Sequence, residues 1–222
     1  MANRGFMAQE VYSRIKRKII TLELQPGEII SEKKLEEELG IGRTPIREAL
    51  LTLKVEKLIE GTPNNPFYVK EISLKSVRDL FEALVPIEKM TTVLAAQRMN
   101  EQELDALVRQ NEGIDRAIQQ RDYWELTNQN REFHRLITQG SDNEYLLSIH
   151  ENLRNQAERL SFLSISSETR EDSADAHNGK IRDHHHRILT LLFERNMNEL
   201  EKLAEEHVKL FQARVLQYLG IL

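Results

Sequence analysis

Seven histidines lie in the last 89 residues of this 222-residue chain, and the first 133 residues contain none. The sequence has no cysteine, so imidazole is the strongest donor it can offer a metal. Three of the seven share a helical face with apolar residues. His134 falls in phase with Leu126, Asn130, Phe133 and Ile137; His185 with Ile188, Leu189 and Leu192; His207 with Leu200, Leu203 and Leu210. Three helices therefore each send one imidazole inward, and Asn130 is the i, i+4 neighbour of His134. A single inward histidine is ordinarily a hydrogen-bonded core residue. Three buried without partners would leave polar groups unsatisfied, at about 1–3 kcal/mol each, whereas one divalent metal would satisfy all three. Metal sites in helical bundles are built this way. His184 and His186, rotated about 100° either way from His185, read as solvated or flanking. His150 and His177 read as surface residues.

A second group suits DNA. Arg43 and Arg47 stand one turn apart at the start of a short helix, where an arginine can fork onto a guanine edge or clamp a phosphate. The charge distribution agrees. Residues 1–75 hold 13 Lys and Arg against 11 Asp and Glu, and residues 76–222 hold 18 against 25, within an overall charge of −5. A mildly basic head on an acidic body suggests two halves with different partners. The alternative for the arginines is a solvated face on an ordinary helical hairpin.

Both groups need elements to hold them. Val11, Ile15 and Ile19, with Leu22 beyond, predict a helix over 7–22 that stops at Gln25-Pro26-Gly27. Ser31 is the expected N-cap of a second helix ending at Gly40, with Leu35 and Leu39 inside. Thr44 as N-cap and Pro45 in the first position predict a third, with Ile46, Ala49, Leu50 and Leu53 inside. Two short helices across a tight glycine turn match the helix-turn-helix pattern. Residues 58–61 and 67–69 then read as strands around a turn at Asn64-Asn65, the wing of a winged helix. Beyond residue 75 the chain reads as helices over 76–98, 101–120, 122–138, 143–165, 178–195 and 198–218, with a polar loop from Ser164 to Asn178. The expected fold is mainly α: a winged helix-turn-helix domain over 1–72 and an all-α antiparallel bundle over 73–222.

The stretch Ser31-Glu32-Lys33-Lys34-Leu35, Leu39-Gly40-Ile41-Gly42 and above all Arg43-Thr44-Pro45-Ile46-Arg47-Glu48-Ala49-Leu50 resembles the DNA-binding domain of GntR-family bacterial transcription regulators. That resemblance implies DNA contacts from Lys33, Arg43, Thr44 and Arg47, with Asn64 at the wing tip. Gly42 stands where the family prefers Ser or Thr, and Glu36 where it prefers a small residue. Asn64-Asn65 replaces the common glycine tip.

The likeness continues through Asn130-Arg131-Glu132-Phe133-His134, His185-His186-Arg187-Ile188-Leu189 and Ala204-Glu205-Glu206-His207, which resemble the FadR subfamily with its FCD-type metal-binding effector domain. It implies Zn, Ni or Mn on Asn130, His134, His185 and His207. The family's usual Asp is Asn130 here, which weakens the oxygen donor. Leu84 stands where many members carry an arginine. Arg154, Asn155 and Arg159 are the remaining candidates for holding an effector, by analogy an organic acid. A metal-free regulator of the same family is a competing reading.

The classes excluded are as informative. No H-E-x-x-H, G-x-S-x-G, P-loop or G-x-G-x-x-G pattern occurs, which disfavours the rival reading of a helical metalloenzyme with Glu132 as base. The longest apolar runs span only a few residues, so no membrane segment is expected and a cytoplasmic location is. The sequence thus predicts a non-enzymatic, homodimeric regulator that binds an operator in double-stranded DNA and responds to a small molecule.

Overall fold

Val11, Ile15 and Ile19 are fully buried, and the helix that carries them is α1 (Ala2–Ile20). The computed structural model describes residues 2–62, 65–166 and 171–221, with side chains described over 7–62, 65–166 and 178–221. Two compact units divide the chain, Met1–Ser76 and Val77–Leu222.

In the first unit α1 is followed by β1 (Ile29–Ile30), α2 (Glu32–Leu39), α3 (Arg43–Val55), β2 (Ile59–Thr62) and β3 (Asn65–Val69). Ser31 caps α2 by accepting from the Lys34 amide at 3.2 Å, and Gly40 ends the helix in the left-handed region at φ 65°. The third helix starts earlier than its sequence suggests. Gly42, not Thr44, is the N-cap, with extended backbone and no side-chain bond, so Pro45 falls third in the helix. Proline is tolerated there because the first-turn amides have no intrahelical partner. Ile46, Ala49, Leu50 and Leu53 face inward to meet α1, Leu35, Leu58, Ile59, Phe67 and Val69.

The wing has a third strand that the sequence pattern does not show. β1 pairs antiparallel with β3, Ile29 opposite Tyr68 and Ile30 opposite Phe67, giving the order β1-β3-β2. Two residues are too few to show an alternation. Pairing of β2 with β3 runs from Ile59 opposite Val69 to Thr62 opposite Asn65, with an irregularity at Gly61. Gly61 sits at φ 124°, and a Cβ there would lie 2.5 Å from the Pro66 carbonyl oxygen, so only glycine fits. The expected tip residue Asn64 lies outside the described residues.

The second unit is helical among its described residues: α4 (Leu74–Arg98), α5 (Glu101–Gln120), α6 (Tyr123–Gly140), α7 (Glu144–Ile165), α8 (Glu171–Phe193) and α9 (Met197–Tyr218). Side-chain caps at Asn100, Asp122, Asn143 and Asn196 start four of them. The polar stretch expected as a loop from Ser164 to Asn178 is largely helix, since α7 runs to Ile165 and α8 begins at Glu171. Residues 167–170 between the two helices lie outside the described ones. Helix α5 packs on α6 and α8, α6 on α7, and α9 on both α7 and α8. Their shared core includes Leu107, Ile114, Phe133, Ile137, Ile188, Leu192 and Leu200. No described helix is long and apolar enough to cross a membrane.

Candidate functional site

The apolar phase that buries Phe133, Ile188 and Leu200 carries the histidines with it. His134 on α6, His185 on α8 and His207 on α9 are all buried. His207 Nε2 lies 3.3 Å from His185 Nε2 and 3.2 Å from His134 Nε2, so three ring nitrogens from three helices converge. Phe133 stacks on the His185 ring at 4.3 Å and holds its plane. Burial pushes His134 down to about 4 and His185 and His207 well below the ordinary imidazole value. All three are neutral at neutral pH, the form in which imidazole binds a metal.

The sequence pattern does not single out the residue that organises this cluster. Glu88, on the buried face of α4, is 3% exposed. Its Oε2 accepts from His134 Nδ1 at 3.2 Å; its Oε1 accepts from His150 Nε2 at 2.9 Å and from Arg154 Nε at 2.7 Å, with Arg154 Nη2 also donating. Burial alone would raise the Glu88 carboxyl, but Arg154, His134 and His150 outweigh it and hold it well below the usual range. Because His134 Nδ1 faces a carboxylate, it carries the proton, and Nε2 keeps its lone pair for the cluster. His150, read from sequence as a surface residue, is 1% exposed. It lies in phase with Leu146, Arg154 and Ala157 on α7, a buried stripe whose polar members hide it from an apolar-pattern search. In α4, phase with Phe81, Leu84 and Thr91 is the signal that places Glu88 inside. His184 is half-buried, its ring 5.7 Å from that of His207, and exposed His186 faces Asp115 at 3.0 Å. The His177 side chain lies outside the described ones.

Two cavities adjoin the cluster. One, partly open and about 310 Å³ counted with the solvent at its mouth, is lined by Asn130, Arg154, Ser161, Ile181, His207, Val208 and Phe211. The other, about 230 Å³ counted in the same way, shares Asn130, Arg154, Ser161 and Phe211 and adds Thr127, Arg131, Ala157 and Glu158. Asn130 Oδ1 is buried with no hydrogen-bond partner among the described residues. Arg154 is thus at once a cavity wall and the partner of Glu88. Buried Arg159, pushed down to about 10 by burial, and half-buried Asn155 are not among the residues lining these two cavities. Leu84 is fully buried.

The donors fit a metal. Two nitrogens held tetrahedrally by one ion at about 2.0–2.1 Å stand about 3.3–3.4 Å apart, close to the two separations found. His134, His185 and His207 offer ring nitrogens within 4.8 Å of one another, and Asn130 adds an unpartnered oxygen on the wall beside them.

In the N-terminal unit, Glu32 occupies the first turn of α2 and binds both arginines of α3. Its Oε2 accepts from Arg43 Nε at 2.7 Å and from Arg47 Nε at 3.0 Å. Burial raises the Glu32 carboxyl, and the two arginines more than reverse it, leaving it below the usual range. Both bonds use Nε, which leaves the terminal Nη groups for another acceptor. Thr44 and Lys33 are exposed, Lys33 within 3.7 Å of Glu37.

Comparison with known proteins identifies this architecture. Residues 7–69 match the family of bacterial regulatory proteins, gntR family, and residues 79–211 match the FCD domain. The chain belongs to the GntR family of bacterial transcription regulators. It is 30% identical to the HTH-type transcriptional repressor GlaR of Escherichia coli, over 75% of this chain and 80% of that protein. An uncharacterized HTH-type transcriptional regulator of Bacillus subtilis, YdhC, is 26% identical over 90% of this chain and 84% of its own. The solved structure of E. coli McbR/YncC shares the fold with a TM-score of 0.82 at 23% identity, covering 95% of this chain and 97% of that one. This GntR regulator therefore pairs a DNA-binding head with an FCD body, and its relatives are transcription regulators rather than enzymes.

Proposed function

We propose that this DNA-binding regulator senses an anionic metabolite, by analogy an organic acid, at a metal-containing cavity in its FCD body. The carrying observation is the convergence of three neutral imidazole nitrogens beside a cavity walled by Asn130 and Arg154. His134, His185 and His207 would hold a divalent ion such as Zn, Ni or Mn, with Asn130 as the oxygen donor. When bound, the ion supplies positive charge toward an anion in the cavity. Glu88 fixes the His134 tautomer and anchors Arg154, so the effector meets a pre-set wall.

The chain acts as a homodimer in this reading. Lys33, Arg43, Thr44, Arg47 and Asn64 contact the operator, and Glu32 holds the two arginines ready. Two heads must meet half-sites about 34 Å apart, and an effector that favours one spacing of the heads shifts DNA affinity. The test is a pair of variants in the intact protein. H185A is expected to lose metal binding and the operator response to effector while keeping basal operator binding. R47A is expected to lose operator affinity while keeping the metal. Full metal binding by H185A would remove the histidine cluster from the account.

A further inference from the structure

The metal reading leaves a charge imbalance around the cluster. All four candidate donors are neutral as ligands: His134, His185 and His207 can bind a metal only through an unprotonated ring nitrogen, and the side chain of Asn130 is an amide. The anion bonded to the cluster is Glu88, and Arg154 already meets it through Nε and Nη2, so that pair cancels. Further along the wall Glu158 faces Arg131 at 3.5 Å. A divalent cation placed among His134, His185 and His207 would carry its full charge into a site where every donor is buried or half-buried. Uncompensated buried charge is costly, and it is relieved when an opposite charge enters beside it. The structure supplies a route. The larger cavity is walled by Asn130, His207 and Arg154, whose Nη1 is not among the atoms bonded to Glu88.

We infer that this centre is anion-dependent: metal retention requires an oxyanion of carboxylate or phosphate type in the Asn130–Arg154 cavity, and the two bind as a coupled pair. The inference rests on the metal reading above and adds its regulation. Asn130 is the specificity-setting residue. A carboxylate in its place would balance part of the charge from the protein and uncouple metal from anion. By linkage, the factor by which the anion tightens the metal equals the factor by which the metal tightens the anion. Metal and effector would then enter and leave together.

The experiment titrates Ni²⁺ into the full chain against a chromophoric chelator, in a sulfonate buffer with perchlorate as the added anion. Acetate or phosphate then replaces perchlorate at equal ionic strength. The wild type is expected to bind Ni²⁺ at least about tenfold more tightly with the oxyanion, acetate or phosphate according to which chemistry the cavity takes. N130D is expected to bind tightly in perchlorate alone and to respond about threefold or less. As a check independent of that variant, acetate and phosphate binding to wild type by calorimetry should rise by the same factor when Ni²⁺ is present. Equal Ni²⁺ affinity in perchlorate and in both oxyanions would overturn the coupling while leaving the metal centre intact. An N130D that keeps the full wild-type anion response would overturn the role of Asn130. No Ni²⁺ binding in any medium, by either protein, would overturn the metal reading itself.

Discussion

Two glutamates each gather basic side chains here, and they do opposite work. Glu32, in the DNA-binding head, accepts from Arg43 and Arg47 at the surface, its side chain 18% exposed and theirs 62% and 39%. Glu88, in the body, accepts from His134, His150 and Arg154 with all four side chains at or below 8% exposure. Water and salt screen the first group, so its bonds form and break cheaply, as the proposed release of the arginines to DNA requires. The second is sealed off, so each partner depends on the others. The same chemistry yields a displaceable grip in one place and a fixed scaffold in the other.

The largest effect that tests this contrast is E88A. Removing the carboxylate leaves a buried guanidinium uncompensated and should cost about 3–5 kcal/mol of body stability, read by denaturant unfolding; a loss under about 1 kcal/mol would make Glu88 no scaffold. Acid should act in the same direction. His134, His185 and His207 stay neutral in the folded body while the unfolded chain takes up protons below about 6.5. Stability is therefore full above that value and falls as pH drops toward about 4, the value to which burial holds His134. The depressed Glu88 carboxyl extends the loss to lower pH still. Melting temperatures across that window check the sign, and a body that grows more stable on acidification would contradict it.

Smaller effects belong to the head. R47A should weaken specific operator binding by about 1–3 kcal/mol, measured by titration at fixed salt, with unfolding unchanged. E32Q should move stability by only about 0.2–1 kcal/mol while altering operator affinity and its salt dependence. An E32Q loss as large as that of E88A would erase the distinction between the two glutamates.

Much of this was legible in the residues. The apolar phases turned His134, His185 and His207 inward on three helices, and Ser31, Gly40 and the stripe Ile46–Leu50–Leu53 outlined the helix-turn-helix. The misreadings share a cause. Thr44 has the side chain of a cap, yet extended backbone at Gly42 starts α3 two residues earlier. Glu88 and His150 sit on buried faces, but a search for apolar periodicity passes over charged and polar residues, whose burial depends on partners three helices away in sequence. Strand β1 exists only because β3 lies beside it. Pattern reports what a segment does alone; pairing across the fold decides the rest.

The central claim is that His134, His185 and His207 form one metal centre beside an anion cavity. Its most direct test is the stoichiometry of Ni²⁺ binding in acetate and in phosphate, for wild type and for H185A shown to be folded by circular dichroism. One tightly bound ion per wild-type chain and none in H185A is the expected result. Equal binding by both proteins, or none by the wild type in either anion, would contradict it.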